Sequence, residues 1–388
     1  MYFLGQASNY RAKNILKHTF SVGLKRDFEA LRAHLAKRYN VSSNSVYLYH
    51  NGRSALSEGL KIAIPRESSE HPGILVTSLT CYAVVEAVRG AGFTPVFADI
   101  EEKTLHFNGK TMEDALRKHK DVKAVIVQNN LGNPCEIKEI KKCAKKHHLV
   151  LIEDLAHCAG ISYADGTEAG MVGDIVALSF GKGKSIDTIS GGALVIRIRE
   201  NTYVEKGRFK TCAIKMPNEP SKKPKFGDRF RDRFYPLFGA MIRGFYHVRL
   251  GKLFTSFLLK THQIKRSADA DLDTNVRLTY WQAKLALKQF ENLPKNRPPL
   301  REFFLVRERD LVLNELERNG FVMNDIWYDI PVSPARYYEK SGYNEDECPV
   351  AVKLSKHIVN LPTHYPRPEL QPARKIIEKH LLKGAEND

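Results

Sequence analysis

The stretch that most constrains this chain runs from Leu149 to Ile196. It opens on the apolar run Leu149–Ile152, too short for a helix and of a length suited to a buried strand. That run ends in two carboxylates, Glu153 and Asp154, with His157 three residues further on. A second apolar run, Ile175–Leu178, leads into Ser179, Phe180 and a Gly/Lys-rich loop that carries Lys182 and Lys184. Gly191 and Gly192 precede a third run, Ala193–Ile196. Polar and charged groups therefore fall at the ends of successive strands, which is where open α/β sheets collect their ligands.

The segments before this unit repeat the alternation. Residues 24–39 place Leu24, Phe28, Leu31 and Leu35 at helical spacing among charges. Strands are expected at 73–77, 95–99 and 122–127, and helices at about 82–90 and 136–147. Strands alternating with helices imply a mostly parallel sheet covered on both faces.

The order Glu153-Asp154-Leu155-Ala156-His157, Gly173-Asp174, Ser179-Phe180-Gly181-Lys182-Gly183-Lys184, Gly191-Gly192 resembles the DegT/DnrJ/EryC1/StrS sugar aminotransferases, pyridoxal-phosphate (PLP) enzymes of the aspartate-aminotransferase fold. The resemblance implies an α/β, three-layer PLP-transferase fold of type I with a mostly parallel central sheet and a smaller α+β C-terminal domain. It assigns Asp154 to the pyridine nitrogen, which must stay protonated for PLP to act as an electron sink. It makes Lys184 the Schiff-base lysine and proton shuttle; Lys184 follows Ser179 by five residues and precedes Gly191 by seven, the family register, which leaves Lys182 aside. Such a lysine needs a depressed pKa, which burial and cationic neighbours supply. His157 stands where the family has Gln beside the cofactor's phenolic oxygen.

Further site residues follow from the same resemblance. Gly52, Arg53 and Ser54 open a helix whose amides would hold the cofactor phosphate together with Ser179. Arg53 replaces a Thr, and either adds a phosphate contact or points to solvent. Tyr82 is the candidate to stack on the pyridine, one residue after the position held here by Cys81; the alternative is a packed surface tyrosine. Asn129 takes the place of a substrate-side His. Asn275, in Asn275-Val276-Arg277-Leu278, would reach the phosphate in a neighbouring subunit, which implies a homodimer. Arg277 reads as structural. Leu361-Pro362-Thr363-His364 resembles the family's closing motif, with His364 a candidate for substrate contact or a surface residue. Helices are expected at 301–318 and 376–382.

At 388 residues the chain can bury a full core and hold two domains. A hydrophobic share of 43% beside a charged share of 27% excludes a disordered chain. The six cysteines form no C-x-x-C pair and no zinc spacing, so they read as free buried thiols in a reducing compartment, and no metal is expected. The first residues, MYFLGQASNYRAKN, lack the apolar core of a signal peptide, and no long uncharged apolar run suggests a membrane span. A cytoplasmic protein is expected.

Charge is the unusual quantity. The net charge is +17, yet residues 206–266 hold 16 Lys and Arg against Glu219, Asp228 and Asp232 only. A single basic block points to one specific surface. The chain accordingly divides into a large PLP-binding domain (1–205), a basic, aromatic-rich insertion (206–266) and a C-terminal domain (267–388). Within the insertion, 215–225 is Pro/Lys-rich and reads as a mobile loop. In 229–260, Phe234, Phe238, Met241, Phe245 and Val248, then Leu253 and Phe257, follow helical spacing among basic residues. Such helices suit an anionic membrane interface, peripheral at the inner face, through 226–260. They equally suit packing on the enzyme's own core or across a dimer. Nucleic acid is not expected, because no binding module accompanies the charge.

The function expected is transfer of an amino group from an amino acid, glutamate by expectation, to a nucleotide- or lipid-linked keto-sugar in sugar or polysaccharide biosynthesis. His157 in a D-x-x-H arrangement keeps open a PLP enzyme of carbon–carbon bond chemistry. The departures at Arg53, Cys81, Asn129 and His157 keep open a catalytically silent, membrane-attached binding or regulatory protein.

Overall fold

A computed structural model describes residues 2–4, 12–64, 72–198, 200–205, 208–266, 269–294, 297–323, 326–365 and 367–382. Its centre is a seven-stranded sheet built from Val46–Tyr49 (β1), Gly73–Thr77 (β2), Thr94–Ala98 (β3), Val122–Gln128 (β4), Val150–Asp154 (β5), Ile175–Ser179 (β6) and Gly192–Ile196 (β7). The strand order is β1-β7-β6-β5-β4-β2-β3. Only β7 runs against its neighbours; all other pairs are parallel. Parallel strands covered on both faces carry near-continuous apolar sequence, and β2, β5 and β7 are buried along their whole length.

Helices Ala12–Thr19 (α1), Lys25–Arg38 (α2), Gly52–Ala63 (α3), Tyr82–Gly90 (α4), Gly109–Lys118 (α5) and Ile137–Lys146 (α6) precede or separate these strands. Two strands after β7, Glu200–Glu205 (β8) and Arg208–Ala213 (β9), form an antiparallel hairpin. The expected boundary after residue 205 thus falls at the turn of a hairpin, beside residues 206–207, which lie outside the described ones. Phe226–His247 (α7) and Gly251–Lys260 (α8) follow, and Tyr280–Glu291 (α9) returns to the sheet.

Strand residues alternate between two cores, as the period of two requires. Leu151 and Val176 join Phe28, Leu31, Ile140 and Phe290 on one face, under α2, α6 and α9. Ile152 and Ile175 join Leu56, Leu60, Val85 and Val88 on the other, under α3 and α4. The result is a three-layer arrangement with the strand ends of β4, β5 and β6 opening on one edge.

In the C-terminal part, Arg301–Leu305 (β10) pairs antiparallel with Ile358–Pro362 (β11). Arg309–Arg318 (α10), Pro349–Ser355 (α11) and Arg367–Glu378 (α12) complete it. Leu4, Phe304, Val312, Leu316, Val359 and Ile377 pack together here. Two expectations are corrected. The helix expected at 301–318 begins only at Arg309, because Phe303-Phe304-Leu305 forms a ladder with β11, and helical spacing starts with Val312 and Leu316. The last helix ends at Glu378, and Leu381 instead bridges to Val306. The 215–225 segment is also fastened rather than loose: Arg32 pairs with Glu219 at 2.9 Å, and the Lys222 amide donates to the Asn275 carbonyl at 2.9 Å.

Candidate functional site

The two carboxylates at the end of β5 point to opposite faces of the sheet. Glu153 is fully buried and serves the loop that follows: its oxygens accept from Tyr163 Oη (2.7 Å), Gly170 N (2.8 Å), Val172 N (2.9 Å) and Gly173 N. Asp154 faces the strand-end opening. Burial pushes its carboxyl above the usual range, while the Ala156 amide, the charge Lys184 carries when protonated and the Gln128 amide oppose that rise. Ala156 N donates to Oδ1 at 3.0 Å and Gln128 Nε2 to Oδ2 at 3.2 Å.

Lys184 Nζ lies 2.7 Å from His157 Nε2. The other ring nitrogen of His157, Nδ1, accepts from the Leu131 amide at 3.2 Å. Burial holds this imidazole neutral, well below its ordinary pKa. With Nδ1 occupied as an acceptor, the ring proton sits on Nε2 and faces Nζ. A lone pair on Nζ is what that proton needs, so the contact favours the uncharged, nucleophilic amine. Lys182 is placed differently. Its Nζ meets Tyr235 Oη at 3.2 Å and the Lys265 carbonyl at 2.9 Å, which ties the loop to α7.

The α3 start, where the resemblance would seat the cofactor phosphate, adjoins Ser179 at the end of β6. Asn51 caps α3, its Oδ1 accepting from Ser54 N at 2.8 Å. A Cβ on Gly52 would come within 2.6 Å of Ser179 Cβ and 3.0 Å of Ser179 Oγ, so glycine is needed for the helix start to approach Ser179. Ser54 Oγ is buried and has no hydrogen-bond partner among the described residues. A helix N-terminus beside two hydroxyls suits an anion.

Other expected residues are engaged elsewhere. The Arg53 side chain is buried and pairs with Glu86, so neither solvent nor the expected phosphate seat holds its charge. Tyr82 stacks on Tyr337, centroids 4.6 Å apart and planes 9° from parallel, so one ring face is taken by a C-terminal residue. The pairing of residues 80–81 with 332–333 brings the two tyrosines together and leaves the other face of the Tyr82 ring to the two uses expected for it. Asn129 is bound within its own loop: Nδ2 donates to Tyr163 Oη (3.2 Å) and Cys158 Sγ (3.4 Å), and Oδ1 accepts from Cys135 N (2.9 Å). Asn275 is exposed and its Oδ1 accepts from Ser221 N and Oγ, both at 3.0 Å. Arg277 lies over the Tyr280 ring at 4.3 Å. His364 is exposed and stacks against Tyr365.

Three residues outside the sequence reading complete the site. Trp327 stacks on His157, centroids 4.6 Å apart, with Lys184 Nζ 4.7 Å from its ring centroid. Tyr328 Oη donates to Asn130 Oδ1 at 3.0 Å and lies 3.4 Å from His157 Nδ1. Gln128 links Asp154 to Thr80, whose Oγ1 donates to Gln128 Oε1 at 2.6 Å. Trp327 is one of only two tryptophans in the chain, the one cue the sequence offered. A separate cavity of about 390 Å³, lined by Pro134, Tyr163 and Arg297 among others, contains none of the site side chains named above. Glu113, Cys143 and His147 converge between α5 and α6, but Lys146 holds Glu113 at 2.7 Å and burial keeps the Cys143 thiol protonated, its pKa pushed up to about 12.

Pyridoxal phosphate presents a phosphate, a ring nitrogen, a phenolic oxygen and an aldehyde. The α3 start with Ser54 and Ser179, buried Asp154, His157 and Lys184 supply a matching group for each, so the residues fit it. The family model described as the DegT/DnrJ/EryC1/StrS aminotransferase family matches residues 14–223. GDP-perosamine synthase of Escherichia coli O157:H7 is 34% identical over 127 residues, which is 33% of this chain and 34% of that protein. The dTDP-4-amino-4,6-dideoxy-D-glucose transaminase of Shigella dysenteriae is 30% identical over 156 residues, 40% of each chain. The chain thus aligns with well under half the length of these two relatives. Among solved structures, Spr1654 of Streptococcus pneumoniae in its PLP-form matches with a TM-score of 0.65 at 16% identity, covering 97% of this chain and 98% of that one. Helicobacter pylori PseC, an aminotransferase involved in the biosynthesis of pseudoaminic acid, matches with a TM-score of 0.63 at 16% identity, covering 97% and 98%. The fold is the one these enzymes share, and since the family match takes in more than half of the residues, the chain belongs to the DegT/DnrJ/EryC1/StrS aminotransferase family.

Proposed function

We propose that this chain is a PLP-dependent aminotransferase that moves an amino group from an amino acid, glutamate in this reading, to a keto-sugar carried on a nucleotide or a lipid. The observation that carries the proposal is the convergence, at the ends of β5 and β6, of the Lys184 amine, the neutral His157 imidazole 2.7 Å from it and the buried Asp154 carboxyl. When bound, the cofactor supplies an electron sink for the amino-bearing carbon.

The chain's own residues do the rest. Lys184 would hold the cofactor covalently through Nζ and, once released, carry a proton on that atom to and from the substrate carbon. Asp154, kept in place by Gln128 and the Ala156 amide, would hold a proton on the ring nitrogen. The α3 start, Ser54 and Ser179 would seat the phosphate. His157 Nε2 would face the phenolic oxygen. Trp327 and Tyr328 reach the site from the C-terminal part, against His157 and, for Trp327, beside Nζ, and would help to keep water from it. Asn275, exposed on the surface, would reach the phosphate in a partner subunit, and a homodimer is part of the proposal. Catalysis is assigned to the cytoplasm, at the inner face of a membrane where the acceptor is lipid-linked. Neither relative named above is described as acting on carbon–carbon bonds, and the site residues give the silent-scaffold alternative no support.

The test is reconstitution with PLP. The wild type should gain a visible band near roughly 420 nm that glutamate bleaches. Lys184→Ala should bind without that band, and a protein that stays colourless in both forms would end the proposal. Formation of 2-oxoglutarate on adding a nucleotide-linked keto-sugar then tests donor and acceptor together.

A further inference from the structure

The helix α7 is fixed on its inward side by polar and apolar contacts together. Asp232 accepts from Ser190 Oγ and from Gln282 Nε2 (3.3 Å), the Asp232 carbonyl meets His18 Nε2 (3.1 Å), Tyr235 Oη meets Lys182 (3.2 Å), and towards the C-terminal end Ile242 and Tyr246 pack with Phe3 and Val322. Its outward side is apolar. Phe226, Phe230, Leu237 and Met241 fall within about 60° of one another on a helix that turns 100° per residue, and all four are exposed, Phe226 by 75%. The stripe continues across Phe245 and Phe254, stacked at 4.1 Å, into α8, where Leu253 is 70% and Phe257 58% exposed. A surface helix of a globular protein turns its apolar stripe to the core. This one packs on the enzyme's own core through Ile242 and Tyr246 and is pinned by the Asp232 carboxylate, yet a second apolar stripe faces away from those contacts and is left uncovered by the chain.

We propose that the outward face of the α7–α8 hairpin docks on a membrane surface rich in anionic lipid. Charge decides the occupant. Within 226–260 the acidic residues are Asp228, paired with Arg231, and Asp232, half-buried and bonded to Ser190 and Gln282. Exposed Arg229, Arg249 and Lys260, with Lys222, Lys223 and Lys225 just before α7, leave the rim of the stripe positive. Aromatic and aliphatic side chains ringed by Lys and Arg match the depth profile of a headgroup layer, where rings sit at the acyl boundary and cations meet lipid phosphates. A second copy of the same chain would set this basic rim against itself in a two-fold interface. No helix among the described residues is long and apolar enough to cross a membrane, so the hairpin lies on the surface.

The experiment is co-sedimentation with phosphatidylcholine vesicles, with and without about 30% phosphatidylglycerol. The full chain should pellet with the anionic vesicles and remain soluble with the neutral ones. The triple variant Phe226→Ser, Leu253→Ser, Phe257→Ser should lose about tenfold or more of that binding while keeping its thermal midpoint, since all three side chains are exposed. Lys184→Ala should bind vesicles like the wild type, which separates this proposal from the catalytic one. Equal binding by wild type and triple variant, or none by either, overturns it. So does a triple variant that turns a dimeric wild type into a monomer without any change in vesicle binding, because the occupant is then a second copy.

Discussion

The strand-end site and the α7–α8 hairpin treat polarity in opposite ways. At the site, the buried charged and imidazole groups meet partners: Glu153 accepts four hydrogen bonds, Asp154 two, and His157 stands between the Leu131 amide and Lys184. On the hairpin Asp232 and Tyr235 bond inward, while Phe226, Phe230 and Phe257 are exposed among basic residues. Burying a polar group is favourable only when it is bonded, and Asp232 inside α7 is held by its neighbours just as Asp154 is. What differs is the apolar surface: the sheet residues are covered by the chain itself, whereas those on α7 are left for something else. The first pattern builds a reaction centre and the second a contact face.

The largest expected effect breaks the site alone. Lys184→Ala should lower transamination by roughly ten-thousand-fold or more, because no other amine reaches the same position. Lys182→Ala should act far less on the chemistry, because its Nζ is held by Tyr235 and the Lys265 carbonyl. Steady-state rates of the two variants, each checked for its folded fraction, measure the contrast. Asp154→Asn should cost about 100-fold or more in rate. The sign reverses for stability. The Asp154 carboxyl has a raised pKa in the folded state, so it binds protons more tightly folded than unfolded and weakens the fold as pH rises from the ordinary carboxylate range. The cofactor-free Asn variant should therefore melt no lower than the wild type at neutral pH.

The next comparison sets a buried phenylalanine against an exposed one. Phe180, fully buried against Phe290, should cost about 3–5 kcal/mol on replacement by alanine. Phe226→Ser should change stability by less than about 0.5 kcal/mol. Equal losses in denaturant titration would mean that the hairpin is covered in solution. The last effect is spread over pH. Burial lowers the His18 and His106 pKa values to about 4, so both stay neutral when folded. Unfolded, each gains a proton near pH 6.5, and stability should fall between about 6.5 and 4 by up to roughly 1.4 kcal/mol per pH unit for each histidine. His18→Gln should flatten that slope, and an unchanged slope would remove His18 from the account.

Local signals in the sequence reached the large domain well, for a physical reason. Parallel strands buried on both faces must be apolar runs, and the carboxylate, hydroxyl and amine of the site sit at their ends in chain order, so Asp154, Ser179 and Lys184 could be read in line. Trp327 and Tyr328 reach the site from the C-terminal part, about 140 residues beyond Lys184, and no local pattern carries that information. The same holds for Arg53 and Tyr82, whose neighbours, Glu86 and Tyr337, are set by how the layers meet. At 301–305 the aromatic run Phe303-Phe304 fitted a helix on spacing alone, and its partner strand β11 decided otherwise. On α7 the spacing of Phe234, Met241 and Val248 announced a helix but could not say which way the stripe faces; the inward bonds of Asp232 do that.

The central claim is that Lys184, and no other lysine, forms the covalent bond to the cofactor. Reconstituting the protein with PLP, fixing the bond with borohydride and mapping the labelled peptide tests it directly. The label is predicted on Lys184, within Gly183-Lys184-Ser185, with Lys182 unmodified. A label on Lys182, or none on this loop, would contradict the account.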